Sequence, residues 1–211
     1  MTTGRSVDWK ALADWATATA GIALTGEQLA QLRAYVDVLM LWNRKLSLVS
    51  QREPGDILAK HVADALFCAS RCTAHEAVVD LGSGAGFPGL PIAITRPGAR
   101  VCLVESRGKK ATFLEEACRI ASIHNVSVYH GRIEACAAEP GHRTRYTAAT
   151  ARALTSTAEF VALARPFLAP GGRAIAMRSV TESRSGEPPD AEEMAYTLPD
   201  GTPRRLVIVR V

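Results

Sequence analysis

Apolar residues recur along this chain at two different spacings, and the change falls near His75. Before it, Leu29, Leu32, Val36, Leu39 and Met40 return at three- and four-residue steps, the period of a helix with one buried face. The helical reading runs from Val7 to Val49, with Thr25 as an N-cap and Gln28 three residues later completing a capping box. A second helix is predicted from about Ile57 to Cys72, placing Leu58, Val62, Ala65, Leu66 and Ala69 on one stripe. Between them, WNRKLSLVSQREPG reads as a basic loop in which Trp42, Leu46 and Leu48 dock while Arg44, Lys45 and Arg52 face water.

After His75, short β-rich runs alternate with helical stretches, the signature of a parallel sheet with crossover helices. Strands are predicted at Ala77 to Leu81, Arg100 to Glu105, Ser127 to His130, Tyr146 to Ala151 and Arg173 to Arg178. The helices between them include PGLPIAIT, with Pro88 in its first turn, and KKATFLEEACRIASIH, with Leu114, Ala117, Cys118 and Ala121 turned inward. A further helix, TSTAEFVALARPFL, is ended by the connection LAPGG. The stretch TESRSGEPPDAEE reads as an exposed loop or short helix, and MAYTLPDGTPRRLVIVRV as an antiparallel hairpin at the sheet edge. The expected fold is α/β: a doubly wound, mostly parallel Rossmann-like sheet in one compact unit over 76–211, preceded by a helical extension over 1–75.

A length of 211 residues accommodates one such domain with an appendage rather than two independent cores. No run of about 18 apolar residues is available to span a bilayer, and the N-terminal stretch lacks the continuous apolar core of a secretory signal, so a cytoplasmic protein is expected. Five cysteines cannot all pair within one chain and none forms a C-x-x-C, which favours reduced, buried thiols. Cys68 and Cys72 lie one helical turn apart but lack a second ligand pair of suitable spacing, so no metal is expected. A net charge of +4 permits an anionic partner without requiring one, and nothing demands more than a monomer.

The chemistry concentrates in DLGSGAGFPG, directly after the first strand of the sheet. A ligand backed onto such a turn meets bare amides and a helix N-terminus. Gly84, Gly86 and Gly89 spell G-x-G-x-x-G, while Gly82, Gly84 and Gly86, with Ser83 between the first two, spell G-x-G-x-G. Asp80 separates the two cofactor classes. At the last inward position of the strand it would project toward the ligand and repel a pyrophosphate by roughly 4 kcal/mol per charge pair at about 4 Å. S-adenosylmethionine instead brings a sulfonium and an ammonium, which an acid favours. Glu105, ending the second strand, is placed to take two ribose hydroxyls, a device that nicotinamide proteins share. Ile133 and Glu134 follow the third strand, where an adenine would lie; Glu134 is equally accounted for as a first-turn acid on a helix dipole.

The strings VVDLGSGAGFPGLPIAI, ESRGKKATFLEE, GRIEA, ARALTS and WNRKLSLVS followed by ILAKHVADAL together resemble the RsmG family, also called glucose-inhibited division protein B, from about Leu29 to Arg178. The resemblance implies a class I S-adenosylmethionine-dependent methyltransferase that modifies guanine N7 in the 530 loop of 16S ribosomal RNA, with naked RNA or the small ribosomal subunit as partner. It carries the family's cofactor contacts onto Gly82, Phe87, Ile133, Glu134 and Arg152. Geometry also puts Arg152 at the site, since it ends the fourth strand; a rim salt bridge is its other reading. The chain departs from the family pattern at Lys45-Leu46-Ser47 for Asn-Leu-Thr, at Asp64-Ala65-Leu66 for Asp-Ser-Leu, and at Arg178-Ser179 for Lys-Gly.

Guanine N7 has a free lone pair at neutral pH, so no residue is assigned as an obligatory acid or base. Candidate RNA contacts are Arg44, Lys45, Lys60, His61, Arg107, Lys109, Lys110 and Arg178, although each singly is more often a solvated surface charge, and His61 a packed or capped histidine. Two other functions fit the residues: a methyltransferase of this fold acting on a small molecule or protein, and a nicotinamide-dependent oxidoreductase using Gly84, Gly86 and Gly89.

Overall fold

A computed structural model describes residues 8–211, so Val7, where the first helical reading began, lies outside the described residues. The chain opens with α1 (Trp9–Trp15), which continues as a π-helical turn over Ala16–Ala20, and then α2 (Gly26–Leu46). The Thr25 capping box is present: its hydroxyl accepts from Gln28 N at 3.2 Å while Gln28 Oε1 accepts from Thr25 N at 3.0 Å. A continuous rod follows, made of α3 (Pro54–Ile57), a π-helical segment Leu58–Val62 and α4 (Ala63–Ala69).

Seven strands form one sheet in the order β3-β2-β1-β4-β5-β7-β6. β1 (Ala77–Leu81), β2 (Arg100–Glu105), β3 (Val126–His130), β4 (Tyr146–Arg152) and β5 (Leu168–Ser179) run parallel. β7 (Pro203–Arg210) lies antiparallel to β5, and β6 (Glu192–Thr197) closes the edge as its hairpin partner. The doubly wound sheet with a C-terminal antiparallel hairpin is therefore as the sequence predicts. β1 and β2 are apolar on both faces because both are covered. On one face α4, α5 (Gly89–Thr95) and α6 (Gly108–Ile120) pack with Val78, Leu103 and Ile175; on the other, α7 (Ile133–Ala138) and α8 (Thr157–Ala164) pack with Val79, Val104 and Ala149.

The N-terminal helices share the first of these cores. Leu32, Tyr35, Val36 and Leu39 of α2 are buried in the same apolar cluster as Val78 and Leu103, each large side chain contributing about 1.5–3 kcal/mol by burial. α2 packs on both α5 and α6. Among the described residues no helix is long and apolar enough to cross a membrane. The five cysteines are free, and all but half-exposed Cys118 are buried.

Several boundaries differ from the sequence reading. Trp42 to Leu46 belong to α2 rather than to a loop, because Trp42 packs edge-on against Phe113 of α6 at 5.9 Å and the helix gains by continuing to that contact. Pro88 stands at the N-cap of α5, one residue before the helix. Leu168–Gly172 are no connector: they form the start of β5, which bulges between its pairings with Tyr146 and Ala148 and passes Gly171 at φ +75°. The stretch 180–191 contains turns and no helix. Its Glu187, with Glu193 of β6, encloses the guanidinium of Arg205, which has no exposed surface and donates to them at 2.8 and 3.0 Å.

α5 approaches β1 closely at Gly89. A methyl group there would overlap Leu103 Cδ2 and sit 2.9 Å from Asp80 Oδ2. Gly89→Ala should destabilise the protein by about 1–3 kcal/mol, whereas Gly26→Ala, with nothing within 4 Å of the added carbon, should be neutral or better. Thermal melts of the two variants check this; equal melting temperatures would show that the close approach is not limiting.

Candidate active site

The turn after β1 runs across the C-terminal ends of the central strands. Gly82, Gly84 and Gly86 take φ of +70°, +57° and +92°, a region that residues with a Cβ enter only at a cost. The amides of Gly82 and Ser83 donate to Val104 O at 2.9 and 3.1 Å, which fixes the turn on β2. From outside, the phenol of Tyr35 on α2 donates to Ala85 O at 2.6 Å. Glu105 joins the same frame: Oε2 accepts from Gly84 N at 2.9 Å and Oε1 from Arg107 N at 2.7 Å. Each carboxylate oxygen retains a further lone pair, so the pair can still accept from a diol.

Asp80 is placed differently from its sequence expectation. It lies beneath the turn, 1% exposed, where the Thr150 hydroxyl donates to Oδ1 at 2.9 Å and Oδ2 is buried without a hydrogen-bond partner among the described residues. The correction has a simple origin: Asp80 shares its strand face with Val78, and that face is covered by α5 right up to Gly89. Burial raises its carboxyl to about 6, against hydrogen bonds and the Arg152 charge that favour ionisation. An orphaned buried oxygen under a cradle of amides fits a cationic ligand and opposes an anionic one.

Arg152 ends β4, and its guanidinium lies 5.5 Å from the centroid of the buried Phe87 ring. His61 stacks on the same ring at 5.4 Å and 22°. Arg152 Nη2 donates to His61 Nδ1, which assigns the ring proton to Nε2, and that nitrogen donates to Gln51 Oε1 at 2.5 Å. Burial, then Arg152, Lys60 and Arg204, push His61 down to about 3. Behind this pair sits Asp64, 1% exposed. Tyr196 donates to its Oδ1 at 2.5 Å, Arg204 to its two oxygens at 3.3 and 3.0 Å, and Arg152 Nη1 stands 3.7 Å from Oδ2. Gln51, Lys60, His61, Asp64, Arg152 and Arg204 line a cavity of about 310 Å³ beside the turn.

The structure thus brings Asp80, Gly82, Ser83, Gly84, Gly86, Phe87, Glu105 and Arg152 together. Ile133 is half-buried and Glu134 exposed, both just past β3 at the far end of the same edge. Of the RNA candidates, Arg44, Lys45, Arg107 and Lys109 are exposed, and Lys60 is partly exposed, 4.0 Å from Asp200. Lys110 is half-buried beside Gly84. Two candidates are corrected. His61 is buried inside the site, and Arg178 is buried and committed, donating to Thr155 O at 2.5 Å and pairing with Glu182 at 2.9 Å, so neither offers a free surface charge to a phosphate. Sequence reasoning missed Tyr35, Gln51 and Thr150 as site residues. It met Asp64 only within a family motif, although a lone acid inside the apolar run of α4 was a legible signal.

This fold and turn define a Rossmann-like methyltransferase class. A solved methyltransferase from Aquifex aeolicus, named as S-adenosylmethionine-dependent, shares the fold at a TM-score of 0.53 and 12% identity, covering 73% of this chain and 93% of that one. The family model for rRNA small subunit methyltransferase G matches residues 28–195, and the chain belongs to that family. Ribosomal RNA small subunit methyltransferase G of a Roseiflexus species is 37% identical, over 90% of this chain and 86% of the relative; that of Rubrobacter xylanophilus is 40% identical, over 75% and 61%.

The depressed His61 gives a pH prediction. The unfolded chain takes up a proton below about 6.5 that the folded site refuses until about 3, so this group's contribution is intact above that window and is lost as pH falls through it. At about pH 5 the loss is ~2 kcal/mol. His61→Gln should therefore lose less melting temperature than the wild type between about pH 7.5 and 5; parallel declines would refute the assignment.

Proposed function

We propose that this protein transfers a methyl group from S-adenosylmethionine to guanine N7 in the 530 loop of 16S ribosomal RNA. The observation that carries the reading is the packing of His61 and Arg152, which wall a cavity with Asp64, on Phe87 of the glycine turn, in a chain of the rRNA small subunit methyltransferase G family. When bound, S-adenosylmethionine supplies an electrophilic methyl group on a sulfonium. The turn amides around Gly82, Ser83, Gly84 and Gly86 cradle its amino-acid end over the buried Asp80 charge. Glu105 accepts from the ribose hydroxyls, and Ile133 with Glu134 borders the adenine.

The remaining residues orient. Guanine N7 attacks with a lone pair that is unprotonated at neutral pH, so alignment and exclusion of water carry the rate. His61 is neutral with both ring nitrogens engaged, and Asp64 has its oxygens taken by Tyr196 and Arg204. They brace Arg152 and the cavity wall and accept no proton from the substrate. The exposed Arg107 and Lys109 stand at the mouth as phosphate contacts.

Calorimetric titration with S-adenosylmethionine, beside Asp80→Asn and an NADH control, tests the cofactor site. Saturable binding, weakened by about tenfold in the variant on loss of about one charge interaction, is expected. Binding of NADH alone would overturn the assignment. Methyl transfer to unmodified 16S ribosomal RNA or small subunits, mapped to one guanine N7, tests the reaction; transfer only to a small molecule or protein would favour that alternative substrate.

A further inference from the structure

We infer that a second cavity, at the C-terminal end of α2, is a phosphate-binding subsite for the RNA strand whose guanine enters the site; this rests on the function proposed above. The cavity measures about 340 Å³ and is lined by Asn43, Arg44, Ser47, Ser50 and Arg52, with Met40 and Val49 as its apolar part. Among the described residues no carboxylate lines it. Neither Arg44 nor Arg52 is in an ion pair among the described residues. Glu53, next in the chain, is exposed and lines neither this cavity nor the one beside the turn. The dipole of α2 accounts for a cation at Arg44 in its last turn, but it does not account for Arg52, beyond the helix on the following loop. Two guanidiniums and the Ser47 hydroxyl around one concavity are a donor set that a phosphate takes, the Ser50 hydroxyl being spent on Gln51 Oε1 at 3.0 Å.

The loop carrying these groups is held in shape. Asn43 Oδ1 accepts from Val49 N at 2.9 Å and Asn43 Nδ2 donates to Gln51 O at 3.0 Å, while Ser47 turns the chain at φ +47°. Gln51 of the same loop hydrogen-bonds His61 and lines the cavity beside the glycine turn. One braced loop therefore serves both cavities: Arg44, Ser47 and Arg52 line one, and Gln51 lines the other, its Oε1 accepting from both Ser50 Oγ and His61. A base taken out of its stack brings its flanking phosphate along the backbone, and this loop is placed to grip that phosphate while Gln51 holds the wall of the base cavity.

The test is methyl transfer to unmodified small ribosomal subunits, and to the RNA extracted from them, at a series of salt concentrations. It compares wild type, Arg44→Ala/Arg52→Ala, and a control of equal charge change, Arg100→Ala/Arg145→Ala. The control pair lines a cavity at the opposite ends of the strands. The expected result is a KM for RNA raised about tenfold in the first variant with kcat little changed, and a log–log salt slope smaller by about 0.7 per phosphate released. S-adenosylmethionine affinity should be unaltered in both variants, which shows that they fold. An unchanged KM and slope, or an equal loss in the control, would overturn the subsite. Failure of the wild type to methylate either substrate would sink the proposed function itself, and the subsite with it.

Discussion

Asp64 is the constraint on which the arrangement of this molecule turns. It is a carboxylate with almost no exposed surface, on a helix that precedes the sheet, and it draws in groups from both the parallel sheet and the C-terminal hairpin. Arg152 comes from the end of β4; Tyr196 and Arg204 come from the hairpin that closes the far edge. A buried charge is costly unless its oxygens are satisfied, and here the satisfying donors, Tyr196 and Arg204, are separated from it by 132 and 140 residues of sequence, with the Arg152 charge 3.7 Å away. The site can exist only when the N-terminal rod, the parallel sheet and the C-terminal hairpin are all in place. Trp15, donating to Thr197 O at 3.1 Å, ties the first helix to the same hairpin.

That junction explains why the N-terminal helices form part of the site. Tyr35 holds the glycine turn through Ala85, and His61 covers Phe87 beside it. Among the described residues, Arg152 Nη1 and Asp80 Oδ2 are buried without a hydrogen-bond partner. Incompletely satisfied polar atoms are uncommon inside proteins and cost free energy where they occur. Both atoms are sealed from solvent, so their charges act on a ligand at the turn through the local field rather than by direct contact.

Much of the fold was legible because periodicity is local. The strand and helix alternation after His75, the Thr25 capping box and the Pro199-Asp200-Gly201 hairpin each depend on residues a few positions apart, and each is where the pattern puts it. The misses share one cause. Trp42 extends α2 because of Phe113, 71 positions away, and Leu168–Gly172 join β5 because the neighbouring strand offers them partners. Glycine and proline in that stretch read locally as a stop, and tertiary pairing overrode the reading.

By itself the sequence determined the chemistry available: a glycine turn after β1, acids at the strand ends, a basic surface and the family to which these belong. Only the tertiary structure decided what each charge does. Asp80 points under α5, His61 is desolvated between Phe87 and Arg152, and Arg178 is spent on Thr155 and Glu182, while Arg44 and Arg52 are in no ion pair among the described residues. The reason is physical. A side chain's type is written in one position, but its burial and its partners are set by segments distant in sequence, and burial and partners fix whether a charge is held, shifted or left to bind something else.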